Sequence, residues 1–322
     1  MRTSAAPPAT PLVRLPRLGQ ELGIDLWAKR DDLFPAPGGG NKARRIGPIA
    51  DEAAQHGGNA LVATGGLQSN HARAVALEAA RRGWPCTLVL HGDPARLAQP
   101  TGNLLLDSLA GAQVRIVAPS EIASAIGAAL QELRDQGHTP WEAPVGYCLA
   151  GSMAYVEAAS ELADQCRQVG WWPDAVVITC ATGGTQAGLV AGFQRLGVQT
   201  RVIGISIARP NPRGATIVQA AYEELCAALA MPCQPQAVEV CDEWIGDGYE
   251  RPTEATFTAI RTAAMLEGLI LDPTYTGKAF GGFMEMAKRG DFAATPSVLF
   301  WHTGGLLNLL ASGCAGGRSP LP

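Results

Sequence analysis

The sequence predicts an α/β protein. Short apolar runs of strand length alternate with helical stretches along almost the whole chain, and that alternation marks the class. Glycine turns sit where the runs end and the helices begin, as at Thr64-Gly65-Gly66 and Thr182-Gly183-Gly184. Residues 175–179 form a continuous apolar run, as strands covered on both faces do.

Taken in order, residues 24–29 read as a first strand ending in Lys29-Arg30-Asp31-Asp32, most simply an ion-paired strand end. Gly38-Gly39-Gly40-Asn41-Lys42 then delivers a lysine to a helix over residues 43–56, which Gly57-Gly58 closes. Strands at 60–63, 86–90 and 114–117 alternate with helices at 69–82, 101–110 and 121–136, a βα block of about 100 residues and so of domain size. Residues 146–151 read as a hinge or loop. A long helix over 152–169, the strand at 175–179 and a helix from Gly183-Gly184 to Leu196 follow. A strand at 201–207 and a helix at 217–229 come next. Residues 252–267 are helical, with Pro252 suited to a first turn. Residues 269–271 lead into Asp272-Pro273. A helix at 277–288, a last strand at 297–301 and a closing helix at 304–310 complete the chain.

The 322 residues suggest about two domains. With 47% apolar and 17% charged residues, the composition is that of a soluble globular enzyme. A net charge of −4 gives no reason to expect nucleic acid or an anionic membrane as partner. Residues 1–11 lack the apolar core of a secretory signal, and no apolar run is long enough to span a bilayer. The eight cysteines form no Cys-x-x-Cys pair, and no histidine pair has zinc spacing, so no metal is expected. Free thiols in a reducing cytoplasm are the simpler reading. Cys180 and Cys233 stay open as reactive thiols.

Four segments carry chemistry besides the glycine run before Lys42. In Thr179-Cys180-Ala181-Thr182-Gly183-Gly184-Thr185, backbone N–H groups at a helix start and threonine hydroxyls make an anion cradle suited to phosphate. Taken alone it could be an unliganded turn. It lacks the lysine of a Walker loop and the dinucleotide fingerprint, which leaves a nicotinamide-dependent dehydrogenase a poor reading. Gly65-Gly66-Leu67-Gln68-Ser69-Asn70-His71 opens another helix with three polar side chains, a cradle for a carboxylate, although Ser69 would also serve as a plain helix cap and His71 as a structural histidine. Leu271-Asp272-Pro273-Thr274-Tyr275-Thr276-Gly277-Lys278 offers a phenol, and Phe300-Trp301-His302-Thr303-Gly304-Gly305 a hydroxyl. α/β proteins bind ligands at such strand ends. A phosphate cradle and a lysine amine together point to pyridoxal 5'-phosphate held as a Schiff base.

In that combination and order the motifs are specific. With Lys-Arg-Asp-Asp and Gly-Gly-Asn-Lys they place a resemblance over nearly the whole chain, from Thr10 to Gly305. The sequence resembles the fold-type II pyridoxal-phosphate enzymes, the tryptophan synthase β-like class. Within it the resemblance is to the group of D-cysteine desulfhydrase, 1-aminocyclopropane-1-carboxylate deaminase and L-cysteate sulfo-lyase. It implies two open twisted α/β domains: a large cofactor-binding one from residues 1–45 and 155–322, and a small inserted one from 46–154. It also implies a role for each matching residue. Lys42 bonds the cofactor and takes the Cα proton. Asn70 binds the cofactor's phenolic oxygen. Ser69 and His71 receive the substrate carboxylate. Thr182, Gly183, Gly184 and Thr185 hold the phosphate. Thr303 faces the pyridine nitrogen, and Tyr249 and Tyr275 are active-site tyrosines.

His71 and Thr276 follow the desulfhydrase pattern, where the ring-opening deaminases carry Gln and Glu. The implied reaction is α,β-elimination on a small β-substituted amino acid, first of all D-cysteine to pyruvate, sulfide and ammonia. L-Cysteate sulfo-lyase and 1-aminocyclopropane-1-carboxylate deaminase activities are the alternatives. A pyridoxal-phosphate-binding regulatory protein is the reading of another class. The chain departs from the group at Gly146-Tyr147-Cys148-Leu149, at Ala74 and in the short segment 91–99. A homodimer is expected from the habit of soluble enzymes.

Overall fold

A computed structural model describes residues 9–234 and 237–311. Cys314 and residues 1–8 lie outside them. In chain order the elements are β1 (Leu12–Arg14), α1 (Pro16–Leu22), β2 (Asp25–Arg30), α2 (Gly40–Gln55), β3 (Ala60–Gly66), α3 (Asn70–Arg82), β4 (Cys86–His91), α4 (Gly102–Leu109), β5 (Gln113–Ile116), α5 (Ile122–Asp135) and β6 (Pro140–Glu142). There follow α6 (Leu149–Val169), β7 (Ala175–Cys180), α7 (Gly184–Arg195), β8 (Arg201–Ser206), α8 (Arg213–Ala228), β9 (Glu239–Cys241), α9 (Glu254–Glu267), α10 (Thr276–Arg289), β10 (Ser297–His302) and α11 (Leu306–Ala311).

Two sheets result. The larger runs β1-β2-β10-β7-β8-β9, the smaller β5-β4-β3-β6. All pairings are parallel except β1 with β2. The last strand lies between β2 and β7, with Val298 opposite Leu26 on one side and Ala175 on the other. β7 is buried at every residue, as its unbroken apolar run requires. One face of the large sheet packs Phe280 edge-on to Phe300, with centroids 4.8 Å apart. The other packs Tyr155 against Trp301 at 5.9 Å. In the smaller unit α3 turns Ala72, Val75, Ala76 and Ala79 inward, and small side chains let a helix lie close on a sheet.

The charged strand end is ion-paired, as the sequence suggested. Arg30 pairs with Asp32 at 2.7 Å, Arg44 with Asp31 at 2.7 Å, and Lys29 with Glu161. Asp31 is fully buried and also accepts from Tyr155 Oη at 2.5 Å and Trp301 Nε1 at 2.9 Å. This cluster ties β2, α2 and α6 together directly beneath the lysine-bearing turn.

Some boundaries differ from expectation. α6 starts at Leu149, so residues 149–151 are helix rather than hinge. Gly151 is there for close approach: a Cβ on it would lie 3.0 Å from Arg45 Nε and 3.1 Å from Ile49 Cδ1. Pro252 precedes the Thr253 cap of α9 instead of occupying its first turn. α8 begins four residues earlier than expected, and β1, β6 and β9 are short strands with no counterpart in the periodicity.

Candidate active site

The C-terminal ends of both sheets open on one cavity of about 470 Å³. That is the size of a small-molecule site. Lys42 reaches it from the first turn of α2. The preceding glycines all have positive φ, at 77°, 49° and 89°, and a Cβ on Gly39 would lie 2.1 Å from the Asp32 carbonyl oxygen. No other residue fits that turn. Asn41 locks the turn in place: its N–H donates to Thr303 O at 2.9 Å and its Nδ2 to Thr185 Oγ1 at 3.1 Å. Burial, aided by the Arg45 cation, pushes the Lys42 amine down to about 7. A lysine so tuned can act as an amine nucleophile and base near neutral pH.

Opposite stands the loop from β7 to α7. Thr179, Thr182, Gly183 and Thr185 line the cavity. Gly183 has φ 83°, and a Cβ there would also meet Val218 Cγ2 at 3.0 Å. The first helical bond of α7 runs from Ala187 N–H to Gly183 O, at 2.9 Å, so the N–H groups of residues 184–186 have no intrahelical partner. Thr185 Oγ1 accepts from Asn41 and keeps its own proton to donate. The buried Thr179 hydroxyl has no hydrogen-bond partner among the described residues. This set of unspent donors at a helix N-terminus fits a phosphate ester, and the Lys42 amine facing the same cavity fits an aldehyde. Gly184 is absent from the cavity lining, and what it offers the cradle is its free backbone N–H. It is a packing glycine, whose Cβ would lie 2.7 Å from Ser152 Oγ on α6.

Ser69, Asn70 and His71 line the cavity from the start of α3. Ser69 is the N-cap, its Oγ accepting from Ala72 N–H at 3.1 Å. The Asn70 Oδ1 accepts from Asn103 Nδ2 at 3.1 Å, which fixes the amide's orientation. His71 Nε2 lies 3.1 Å from Ala143 O and so carries the proton, leaving Nδ1 bare. Burial and the Lys42 charge push its pKa down to about 3, so the ring is neutral.

Tyr275 and Tyr249 meet hydroxyl to hydroxyl, with rings edge-on at 5.9 Å. Burial, and the neighbouring Tyr249, raise the Tyr275 hydroxyl well above the ordinary phenol value, and burial raises Tyr249 too. Both are proton donors throughout the physiological range. Thr303 lines the cavity at the end of β10. Thr276 is buried, and its hydroxyl donates to Asp272 Oδ1 at 2.7 Å. It turns the chain into α10 and is absent from the cavity wall.

The cavity also contains residues that sequence reasoning missed: His91 at the end of β4, Arg209 after β8, and Glu250, which holds φ 59°. Only the rule that ligands collect at strand ends could have pointed to His91 and Arg209. Nothing local marks Glu250. Cys180 lines the cavity, yet burial pushes its thiol up to about 12, so it stays protonated; Cys233 is exposed on the surface. Among the described residues no His, Cys, Asp and Glu cluster could hold a metal, and no helix is long and apolar enough to cross a membrane.

A lysine, a phosphate cradle and a tyrosine pair between two parallel sheets define a class, and comparison with known proteins identifies it. The chain belongs to the pyridoxal-phosphate dependent enzyme family, whose sequence model matches residues 4–304. It is an enzyme of fold type II that uses pyridoxal 5'-phosphate. Among its relatives it is 34% identical over 309 residues to a putative 1-aminocyclopropane-1-carboxylate deaminase of Pyrococcus abyssi, covering 95% of this chain and 92% of that protein. It is 34% identical over 307 residues to a D-cysteine desulfhydrase of Klebsiella pneumoniae, covering 94% and 93%. The crystal structure of an ACC deaminase homologue superposes with a TM-score of 0.87 at 31% identity, over 95% and 92% of the two chains.

Proposed function

We propose that this enzyme catalyses α,β-elimination on a small β-substituted amino acid, with D-cysteine the first candidate and pyruvate, sulfide and ammonia the products. The observation that carries the reading is Lys42, an amine tuned to about 7, in one cavity with the paired Tyr275 and Tyr249 hydroxyls.

Lys42 is the residue that would hold the cofactor. Thr182, Gly183, Thr185 and Thr179 would hold its phosphate, Asn70 its phenolic oxygen, and Thr303 would face its ring nitrogen. The cofactor, when bound, supplies the sink for the electron pair left at Cα. The chain's own groups do the rest. The α3 N-terminus, with Ser69 and neutral His71, binds the substrate carboxylate through free N–H groups and a hydroxyl. Lys42, as a neutral amine, takes the Cα proton. Tyr275 protonates the leaving sulfur, and Tyr249, hydrogen-bonded to it, orients that proton. Closure of residues 46–154 on residues 1–45 and 155–322 would exclude water during the step.

A second reading, ring opening of 1-aminocyclopropane-1-carboxylate, is favoured by the relatives of that name. It is weaker on the resemblance, in which His71 and Thr276 stand where the ring-opening enzymes carry Gln and Glu. The test is pyruvate and sulfide release from D- and L-cysteine by the purified, cofactor-loaded protein, with Lys42→Ala as control. Equimolar release from D-cysteine supports the reading. Release from neither cysteine, with 2-oxobutanoate formed from the cyclopropane substrate, overturns it. Light scattering would test the homodimer proposed with it.

A further inference from the structure

The mouth of the cavity holds an acid–base pair that the elimination chemistry does not use. His91 ends β4 of the smaller sheet, and Glu250 stands in the loop before α9 on the larger unit. They flank Gly66 without touching each other. A Cβ built on that glycine would lie 3.5 Å from His91 Cε1, 3.8 Å from His91 Nε2 and 4.0 Å from Glu250 Oε1. The two side chains therefore flank one spot, from opposite sheets, above a floor with no side chain. Neither has an ion-pair or hydrogen-bond partner among the described residues, and Glu250 is held there by a left-handed backbone at φ 59°. Burial chiefly raises the Tyr249 and Tyr275 hydroxyls and the Glu250 charge adds to it, so the carboxylate borders the place where a leaving group would depart.

The charges around the cavity are divided. Arg209 also lines it, but its guanidinium is committed to the Ala181 carbonyl beside the glycine loop. Arg213 heads α8, the helix whose Val218 packs on Gly183. Arg209 is near enough to act on Tyr249 as well, but its guanidinium is spent on the Ala181 carbonyl, which leaves Glu250 as the unpaired charge at the substrate mouth among the described residues. Glu250 is solvent-exposed, so water serves its carboxylate when the substituent is a bare sulfide, and a longer substituent can take that place over Gly66.

We propose that Glu250 and His91 form an outer subsite that selects amino acids whose β-substituent ends in a cationic hydrogen-bond donor, such as an ammonium group. The proposal rests on the elimination reading and names the substrate class within it. For S-(2-aminoethyl)cysteine the Cβ–S bond breaks, the sulfur leaves as cysteamine with a proton from Tyr275, and the three-carbon remainder takes up water to give pyruvate and ammonia. No oxidant or reductant is needed. The ammonium stays in a charge-assisted hydrogen bond to Glu250 until the product departs.

The test compares S-(2-aminoethyl)cysteine with S-propylcysteine, which replaces the ammonium by a methyl group of similar size, each as D and L enantiomers. Pyruvate release gives kcat/KM, and calorimetry on the holoenzyme gives Kd for the same compounds. A preference of about tenfold or more for the aminoethyl compound is expected, as for a site that pairs a polar group its competitor lacks. Glu250→Gln should bring the ratio near one, and so should Glu250→Gly, which suits the left-handed backbone and guards against a folding defect. A wild-type ratio near one, or a preference that survives both substitutions, overturns the subsite. If neither cysteine nor either larger compound releases pyruvate but the aminoethyl compound still binds more tightly than its isostere, the elimination reading fails and the subsite stands. If cysteine is turned over but the two larger compounds bind equally well, the subsite fails and the elimination reading stands.

Discussion

Cofactor uptake by the apoprotein requires the neutral form of the Lys42 amine, and that makes the depressed pKa measurable. With a value of about 7, Lys42 is about half neutral at pH 7, whereas an ordinary lysine near 10.4 is about 0.04% neutral there. Between pH 6 and pH 8 the neutral fraction climbs from about 9% to about 91%, so the rate of uptake should rise about tenfold and then level. Stopped-flow absorbance of pyridoxal phosphate mixed with apoprotein reads this directly. His71 cannot supply the transition, because it sits at about 3. Asp107 can compete: burial pushes its carboxyl up to about 7, and its neighbour Arg73 donates to Gly39 O, at 2.7 Å, three residues before Lys42. Asp107→Asn separates the two, since the midpoint stays put if Lys42 is the titrating group. Arg45→Gln removes a nearby cation and should move the midpoint upward. The cofactor's own ionisations are common to every variant, so differences among variants report the protein. A rate that keeps climbing to pH 10 in the wild type would refute the tuned lysine.

Three further outcomes follow from the same geometry. Gly183→Ala forces a side chain into φ 83° and against Val218, and should cost about 1–2 kcal/mol of stability together with a marked loss of pyridoxal phosphate affinity, read by thermal melting and equilibrium dialysis. Tyr275→Phe should cut kcat by about 10²–10⁴ while cofactor uptake is retained, and Tyr249→Phe should cut it less; full activity in Tyr275→Phe would remove its role as acid. Asp31→Asn should cost about 3–5 kcal/mol in urea unfolding, because it leaves the buried Arg44 cation short of a partner. Burial alone would raise the Asp31 carboxyl, but the Arg44 charge and its hydrogen bonds hold it below the usual range. Its stabilisation is therefore present above the unfolded carboxylate value and lost as pH falls through the folded one, and the variant should lack that acid limb.

The sequence revealed the strand–turn–helix joints because each carries local chemistry: glycines before Lys42, the Ser69 cap, Gly183, and the Asp272 turn. The long strands were readable because apolar runs need a covered sheet. β1, β6 and β9 have three residues each, and pairing with a neighbour, not composition, makes them strands. Gly184 and Thr276 sit in motifs that face the cavity, yet one glycine packs on α6 and the threonine hydroxyl turns back to Asp272. A motif names a segment, while orientation within it depends on what lies behind. His91, Glu250 and Arg209 are brought to the cavity only by the meeting of two sheets, so no periodicity could announce them.

The place of β10 between β2 and β7 sets an order of events during synthesis. The smaller sheet uses one uninterrupted stretch, residues 60–142, and its contacts are available as soon as that stretch has emerged. The larger sheet cannot join its halves until residues 297–302 arrive, nearly the last of the described chain. Asn41 waits on the same moment, since its backbone partner is Thr303 and its side-chain partner Thr185. Contacts of such long sequence separation form slowly. The lysine turn is thus among the first parts of the enzyme to be made and among the last to be finished, and a chain ending before Ser297 would hold the reactive amine on a half-built sheet with nothing to aim it.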